Sequence, residues 1–206
     1  MKRHFAALAL SVLIVVVAGA QNLTAGQWTT IDVSGEQVRI YRDEYSVPHI
    51  FGETNRGVFV AYGYTVAQDR LWQLEMNRRT SRGRLAEIFG VGSRTADRNT
   101  RMLGYTDTEL NTQFGRLTSE EQETLTAYVD GINRYITEVV APDPDSKLPF
   151  EFHSLNIGVP ALWTIGDVVA WSVRRVSEPP NSGLSEMPNQ TLLTNLIKLH
   201  RVGERR

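Results

Sequence analysis

The chain has 206 residues, a formal net charge of −1, 41% hydrophobic residues and 22% charged residues. This is the composition of an ordinary globular protein, and its near-neutral charge gives no electrostatic reason to expect nucleic acid or an anionic membrane as a partner. The sequence contains no cysteine, which excludes disulfides, thiolate catalysis and cysteine-based zinc sites.

Residues 1–20 have the pattern of a secretory signal peptide. A basic opening, MKRHF, precedes the apolar run AALALSVLIVVV, and the small residues AGA stand before Gln21. The alternative is a transmembrane anchor, but the apolar run is shorter than the roughly 20 residues that a spanning helix needs. We therefore predict an exported protein, periplasmic or secreted, whose mature part is one domain over residues 21–206.

Two short strands are predicted at the start of this domain. In QVRIYRD, residues 37–43, and VPHIFGE, residues 47–53, apolar and polar residues alternate, as in a strand with one buried face. The two segments are close enough to pair as a β-hairpin. Pro48 lacks a backbone N–H and places the second strand at an edge of the sheet.

Helical patterns dominate from Val58 onward. The clearest follows Thr118, where Glu121 stands three residues later and predicts a capping box. An apolar stripe then recurs at helical spacing and needs a covering surface; it consists of Leu125, Val129, Ile132, Ile136 and Val139. The proline-rich segment APDPDSKLP, residues 141–149, predicts an exposed loop.

Two more helices are predicted towards the end of the sequence. One begins at Thr164, with Asp167 three residues later, and runs through TIGDVVAWSVRRV. The other covers NQTLLTNLIKLHRV, residues 189–202, and Gly203 is its predicted stop. No repeat or linker divides the domain.

Motifs that carry chemistry are scarce. His49, His153 and His200 are far apart and lack any metal-ligand spacing. A lone histidine such as His49 in an alternating strand is expected to be a core or turn residue. The sequence has no serine-hydrolase elbow, no phosphate-binding loop and no dinucleotide fingerprint. By these motifs alone the protein is an exported, mostly helical domain.

Three segments resemble the α-subunit of the penicillin acylase family. They are YRDEYSVPHIFGET, AYGYTVAQDRLWQLEMNRRTSRGRLAEIFG and LTAYVDGINRYI, in this order, and the similarity runs from about Val38 to Gly203. The resemblance implies an α+β fold, a mostly helical α-subunit with a short N-terminal β-hairpin that completes an αββα N-terminal-nucleophile hydrolase sandwich with a β chain.

The resemblance also implies a mechanism. A precursor cuts itself into α and β chains, and the new N-terminal serine of the β chain attacks an amide carbonyl, with its own α-amino group as base. This chain then holds no catalytic residue, and its partners are the β chain and a small N-acyl substrate such as a penicillin. The alternative is a secreted, non-catalytic helical module without a β half.

The segment YGYTVAQDRLWQLEMNRR, residues 62–79, is expected to support the site and not to catalyse. Ala67, Leu71 and Leu74 form its apolar side. Its charged residues are either a solvated face or buried ion pairs, and a subunit that wraps a partner favours pairing because an unpaired buried ion costs several kcal/mol; they are Asp69, Arg70, Glu75, Arg78 and Arg79.

Four residues are assigned to ligands by the resemblance. Ser172, Arg175 and Val176 fall where the family lines its acyl pocket, although Ser172 and Val176 are smaller than the usual occupants, which places a strict phenylacetyl preference in doubt. The alternative is that they are core residues without substrate contact. Glu186 falls at the position of a calcium ligand, and oxygen ligands suit calcium; alternatively, its charge only favours a helix N-terminus.

A last expectation concerns the isolated chain. The stripe of residues 125–139 and the leucine-rich last helix show no obvious cover in the sequence. Exposed apolar surface of that size marks interfaces or aggregation. The chain alone is therefore expected to aggregate or to remain loosely packed, and to show no amidase activity.

Overall fold

The computed structural model describes residues 26–177 and begins with a three-stranded antiparallel sheet. The strands are β1 (Trp28–Val33), β2 (Glu36–Arg42) and β3 (Pro48–Phe51), in the order β1-β2-β3. Ile31 lies opposite Val38, and Ile40 lies opposite Ile50, so one face of the sheet is apolar. The predicted edge position of Pro48 is confirmed.

The sequence predicted two strands, whereas the sheet has three. The prediction omitted β1, which joins β2 through a turn at Ser34 and Gly35, both with positive φ (55° and 92°). A two-residue turn with positive φ at both positions matches the right-handed twist of the strands that it joins. Asp32 supports the turn because its Oδ1 accepts a hydrogen bond of 3.0 Å from the Gly35 N–H.

Helices form the rest of the described chain. They are α1 (Asn55–Arg82), α2 (Ala86–Phe89), α3 (Arg94–Leu103), α4 (Asp107–Phe114), α5 (Ser119–Tyr135), α6 (Pro144–Lys147), α7 (Phe150–Ser154) and α8 (Ile165–Ser177). A 3₁₀ turn (Gly90–Ser93) precedes α3, and a π-helical turn (Ile136–Val140) extends α5. The segment predicted as a loop, residues 141–149, therefore contains a single helical turn, α6, which begins at a proline as helices often do.

The longest helix, α1, has well-defined ends and a kink between them. Thr54 caps its start by accepting from the Gly57 N–H, and Gly83 ends it in the left-handed conformation. At Arg70 the backbone leaves the helical region, with φ −138° and ψ 29°.

Helices α1 and α5 cross where two glycines allow their backbones to touch. A Cβ atom added at Gly63 would lie 2.0 Å from the Tyr128 carbonyl oxygen, and one at Gly131 would lie 2.0 Å from that of Val60. Both distances are far below van der Waals contact, so only glycine allows this approach.

Two hydrophobic clusters lie on either side of this crossing. The sheet cluster joins the apolar sheet face to Val60, Ala61 and Ala127. The helix cluster contains residues of α1, α5, α7 and the segment before α8, among them Leu71, Ile132, Phe152 and Trp163.

The helix cluster also covers the predicted stripe of α5. Val129, Ile132 and Ile136 are buried in it, and Leu125 and Val139 pack against it. The expectation that this stripe lacks a cover within the chain was therefore wrong, because α1 supplies it. The leucine-rich last helix and the predicted signal peptide lie outside residues 26–177.

Two further observations concern the described chain as a whole. Its first compact unit ends at Ala170, within α8, and the last residues of α8 belong to a second unit. Among residues 26–177, no helix has both the length and the apolar character required to span a membrane.

Candidate functional site

Helix α8, which carries the predicted pocket residues, begins at a capping box. The Asp167 N–H donates to the Thr164 Oγ1 at 3.2 Å, and the Asp167 carboxylate accepts from the Thr164 N–H and hydroxyl, both at 2.9 Å. Two of these bonds satisfy the backbone N–H groups of Thr164 and Asp167 at the start of the helix. The predicted start of this helix is confirmed.

Arginines of α1 hold this start in place. Arg82 donates to Asp167 at 3.0 Å and reaches Asp107 of α4 at 2.7 Å. One turn earlier, Arg78 donates to the carbonyl oxygen of Ala161 at 2.7 Å. The C-terminal part of α1 thus fixes the segment that leads into α8.

Arg78 is itself fixed by a buried carboxylate. Glu75 is 1% exposed and accepts from Arg78 at 2.5 Å and from Arg79 at 2.6 Å. Arg79 continues to Glu87 at 2.6 Å, and Glu87 also accepts from Arg84. The hydrogen bonds from Arg84 hold the pKa of Glu87 below its ordinary value, so this carboxylate is charged at neutral pH.

Helix α5 holds the same segment from another side. The Asn133 side-chain amide donates to the Trp163 carbonyl oxygen at 2.9 Å, and its oxygen accepts from the Trp163 N–H at 2.6 Å. The Arg78 guanidinium lies 5.5 Å from the centre of the Trp163 ring, on its face. Residues 161–164 belong to no helix or strand. Side chains of α1 and α5 fix their backbone instead.

The prediction that the charged residues of α1 are paired is confirmed for four of the five. Arg42 of β2 makes two hydrogen bonds to Asp69, at 2.8 and 3.1 Å, and Glu75, Arg78 and Arg79 form the network above. Arg70 is exposed and forms no ion pair within the described part of the chain.

A cavity of about 400 Å³ lies beside this network. Its charged walls come from the ion pairs already described, and its apolar walls come from Ala161 and Leu162; the charged residues are Arg78, Arg82, Arg84, Asp107 and Asp167. Three arginines and two aspartates line the cavity, and each of the five is in an ion pair, Arg78 and Arg84 with carboxylates outside the lining.

The predicted substrate residues lie in the last turns of α8. Ser172 and Arg175 are exposed, and Val176 is 87% exposed. Ser172 and Val176 are four residues apart and therefore share a helix face. Neither belongs to a hydrophobic cluster of the described residues, and the alternative of core residues stays open because the segment that follows lies outside residues 26–177. Their contact with substrate stays a prediction.

The predicted calcium ligand, Glu186, lies outside the described residues. Within residues 26–177 no group of three or more acidic or histidine side chains is placed to hold a metal. His49 is exposed on β3, 3.1 Å from Asp43, so it is neither a ligand of such a group nor a core residue.

Comparison with known proteins decides the family. The profile of the family described as penicillin amidase matches residues 37–199. The chain belongs to the penicillin amidase family. Over 163 residues it is 35% identical to the penicillin G acylase of Escherichia coli, and it is 35% identical over 119 residues to the penicillin acylase 2 proenzyme of Pseudomonas sp. (strain SE83).

A solved relative supports the same membership. The thermostable penicillin G acylase of Alcaligenes faecalis superposes with a TM-score of 0.63 at 31% identity, covering 78% of this chain and 84% of that one. By contrast, the match spans only 19% of the Escherichia coli penicillin acylase and 14% of the Pseudomonas proenzyme. This family member therefore spans about a fifth or less of the curated relatives it matches.

Sequence reasoning missed part of the framework around α8. The network includes Asp107, just after the N-cap of α4, and Arg82, whose role depends on contacts distant in sequence. One signal was available, since Thr106 and Glu109 form a capping box that marks the start of α4. Nothing local indicated that Asn133 would bind the backbone at Trp163.

Proposed function

We propose that this chain is the α-chain part of an amide hydrolase of the penicillin acylase type, completed by a β chain. The supporting observation is the difference in coverage. Similar stretches of the sequence match most of a solved penicillin G acylase chain but only 19% of the Escherichia coli protein. A separate chain of about this size, accompanied by a much longer remainder, accounts for both values.

In this proposal the chemistry belongs to the β chain. The hydroxyl of its N-terminal serine attacks the amide carbonyl and transfers its proton, by way of the α-amino group, to the departing amine. The acyl group stays on the serine as an ester. Water then hydrolyses the ester, which releases the carboxylic acid and restores the hydroxyl. The N-terminal-nucleophile sandwich is part of the same proposal.

The α chain contributes a wall of the acyl pocket. Ser172, Arg175 and Val176 lie on a helix whose first turn is fixed by the capping box and by Arg82. A hydrophobic pocket separates acyl groups by only about 1–3 kcal/mol per methylene, so small residues at positions 172 and 176 adjust substrate preference. Penicillins and related N-acyl compounds are the proposed substrate class.

Export and calcium binding are further parts of the proposal. The pattern of residues 1–20 supports removal of a signal peptide before Gln21. The Glu186 carboxylate suits calcium, and its other ligands would come from residues outside 26–177 or from the β chain. Calcium there would have a structural role.

The function is tested with the coding sequence extended to a full precursor. We expect a spacer, a β chain that begins with serine, and hydrolysis of N-acyl amides that is lost when this serine becomes alanine. A reading frame that stops, with no β-chain gene nearby, would instead indicate a non-catalytic helical module.

The pocket is tested by comparing kcat/KM for a series of acyl groups on one amine. Val176→Phe should narrow the pocket and shift preference towards flatter or shorter acyl groups. Arg175→Leu should weaken turnover of all of them, since it removes a positioning group. Arg174→Leu is the matched control, because it removes the same charge from the neighbouring position. An acyl ranking unchanged by Val176→Phe would show that this helix face does not contact substrate.

A further inference from the structure

The outer face of the sheet, opposite the face that packs on α1, is aromatic. Trp28, Tyr41, His49 and Phe51 project from the three strands on this side. The ring centres of Trp28 lie 5.1 Å from Tyr41 and 5.6 Å from Phe51, and Tyr41 lies 6.2 Å from His49. These four residues are called the aromatic face below.

Such a face is unusual for a sheet that is covered on one side. The solvent side of an antiparallel sheet is ordinarily polar, yet Trp28 is 52% exposed and Phe51 is 49% exposed. The turn beside it adds Tyr45 and Val47, which are 79% and 49% exposed. A contiguous apolar surface of this kind marks an interaction site.

The aromatic face is also held in shape without a partner. The Arg39 guanidinium lies 5.1 Å from the centre of the Trp28 ring, and His49 contacts Asp43 at 3.1 Å. Asp43 in turn accepts hydrogen bonds of 2.9 Å from the N–H groups of Tyr45 and Val47. Rigid aromatic side chains lose little entropy on binding, which is why tryptophan and tyrosine are common at interface centres.

We propose that the aromatic face is a docking surface for the β chain, a proposal that rests on the proposed function. The curated relatives are five or more times longer than the stretch they share with this chain, so most of such an enzyme lies outside it, and the contiguous aromatic face is the surface on which it would pack. The β chain would present apolar side chains to Trp28 and Phe51 and a carboxylate or carbonyl oxygen to Arg39.

A second copy of this chain is the less favoured occupant. Two copies related by a twofold axis through the aromatic face would place Arg39 of one copy near Arg39 of the other. Like charges brought together at an interface are unfavourable. A different chain has no such constraint, because the group it places opposite Arg39 need not be an arginine.

The test uses the full two-chain enzyme with the double variant Trp28→Ser/Phe51→Ser. The β chain retained on an affinity-tagged α chain is measured at increasing urea concentrations. We expect the double variant to lose its β chain at a lower urea concentration than the wild type, and its apparent dissociation constant to be at least tenfold higher. The matched control is Phe150→Ser on α7, which removes a 79% exposed aromatic side chain and should leave retention unchanged. Unchanged retention in the double variant, or an equal loss in the control, would overturn the proposal.

Two additional readouts separate the outcomes. If the wild-type precursor yields no complex and no hydrolysis, the proposed function itself fails. Light scattering gives the number of α chains in the wild-type complex. A complex with two α chains that the double variant reduces to one would identify a second copy as the occupant and overturn the proposal, while the proposed function would stand.

Discussion

Glu75 carries most of the ionic framework below α8. Its two carboxylate oxygens bind two different arginines, and its side chain is 1% exposed. Glu75→Gln keeps the shape of the side chain but leaves the Arg78 guanidinium, 9% exposed, without its negative partner, while Arg79, 15% exposed, keeps only Glu87. Removing one member of a buried ion pair costs about 3–5 kcal/mol. We therefore expect the free energy of unfolding, measured in urea, to fall by about that amount.

Glu87→Gln is the control for this prediction. Glu87 binds Arg79 and Arg84, but its side chain is 48% exposed, and ion pairs in contact with water contribute about 1 kcal/mol or less. Equal losses in the two variants would show that burial does not decide the contribution of Glu75.

Tyr128 predicts a loss of stability at alkaline pH. Burial, with a smaller contribution from nearby Tyr62, raises its pKa to about 12, whereas an unfolded tyrosine has a pKa of about 10. Between pH 10 and pH 12 the folded state keeps the Tyr128 proton and the unfolded state releases it. The contribution of Tyr128 to the free energy of unfolding is therefore fully present below about pH 10 and decreases as the pH rises to about 12. Tyr128→Phe should reduce this decrease in urea titrations at pH 9 and pH 11.5. An identical pH dependence in both proteins would contradict the assignment.

The crossing of α1 and α5 depends on glycine at two positions. Alanine ordinarily stabilises a helix relative to glycine by about 1 kcal/mol, but Gly63→Ala would place a methyl group 2.0 Å from a carbonyl oxygen. We expect the helices to separate and the melting temperature to fall despite the better helix propensity.

Gly166→Ala in α8 provides the comparison. Its added methyl group would lie 3.1 Å from an Arg82 side-chain nitrogen and 3.6 Å from the Thr164 Oγ1, so a shift of a few tenths of an ångström in Arg82 suffices and only a small effect on the melting temperature is expected. A Gly63→Ala variant that melts no lower than Gly166→Ala would disprove the close crossing.

Helix starts were predictable because their signals are local. The Thr118–Glu121 and Thr164–Asp167 boxes each need only residues three apart, and both are present. Strand β1 was missed since its turn places Ser34, a residue uncommon at positive φ, beside Gly35. The partners of the α8 framework escaped prediction for another reason. Arg82 and Asp167 are 85 residues apart, and only the packed fold brings them together.

The two hydrophobic clusters are joined into one structure at the α1–α5 crossing. Partly buried Tyr64 packs against both clusters, and a cover for the α5 stripe exists within the chain. One of the two reasons to expect aggregation of the isolated chain is therefore removed, and the other, the leucine-rich last helix, lies outside the described residues. We expect residues 26–170 to unfold in one step, with tryptophan fluorescence and far-UV circular dichroism giving the same urea midpoint.

Truncations in either cluster check this cooperativity. Val38→Ala in the sheet cluster and Ile132→Ala in the helix cluster remove side chains that are 0% exposed. Core truncations of these kinds cost up to about 5 kcal/mol, and each should lower both midpoints together. A variant that separates the two signals would show that the clusters unfold independently.

The bond between Asn133 and Trp163 has a consequence for the timescale of local motion. The Trp163 N–H lies outside every helix and strand, where amides ordinarily exchange with solvent within moments. Its acceptor, however, is a side chain anchored in α5, and Trp163 itself is a buried member of the helix cluster. Its hydrogen can leave only when that cluster opens, so this amide should exchange as slowly as those of the core helices. The segment before α8, residues 161–164, has the backbone of a connecting loop, but at Trp163 it should show the slow amide hydrogen exchange of the protein core.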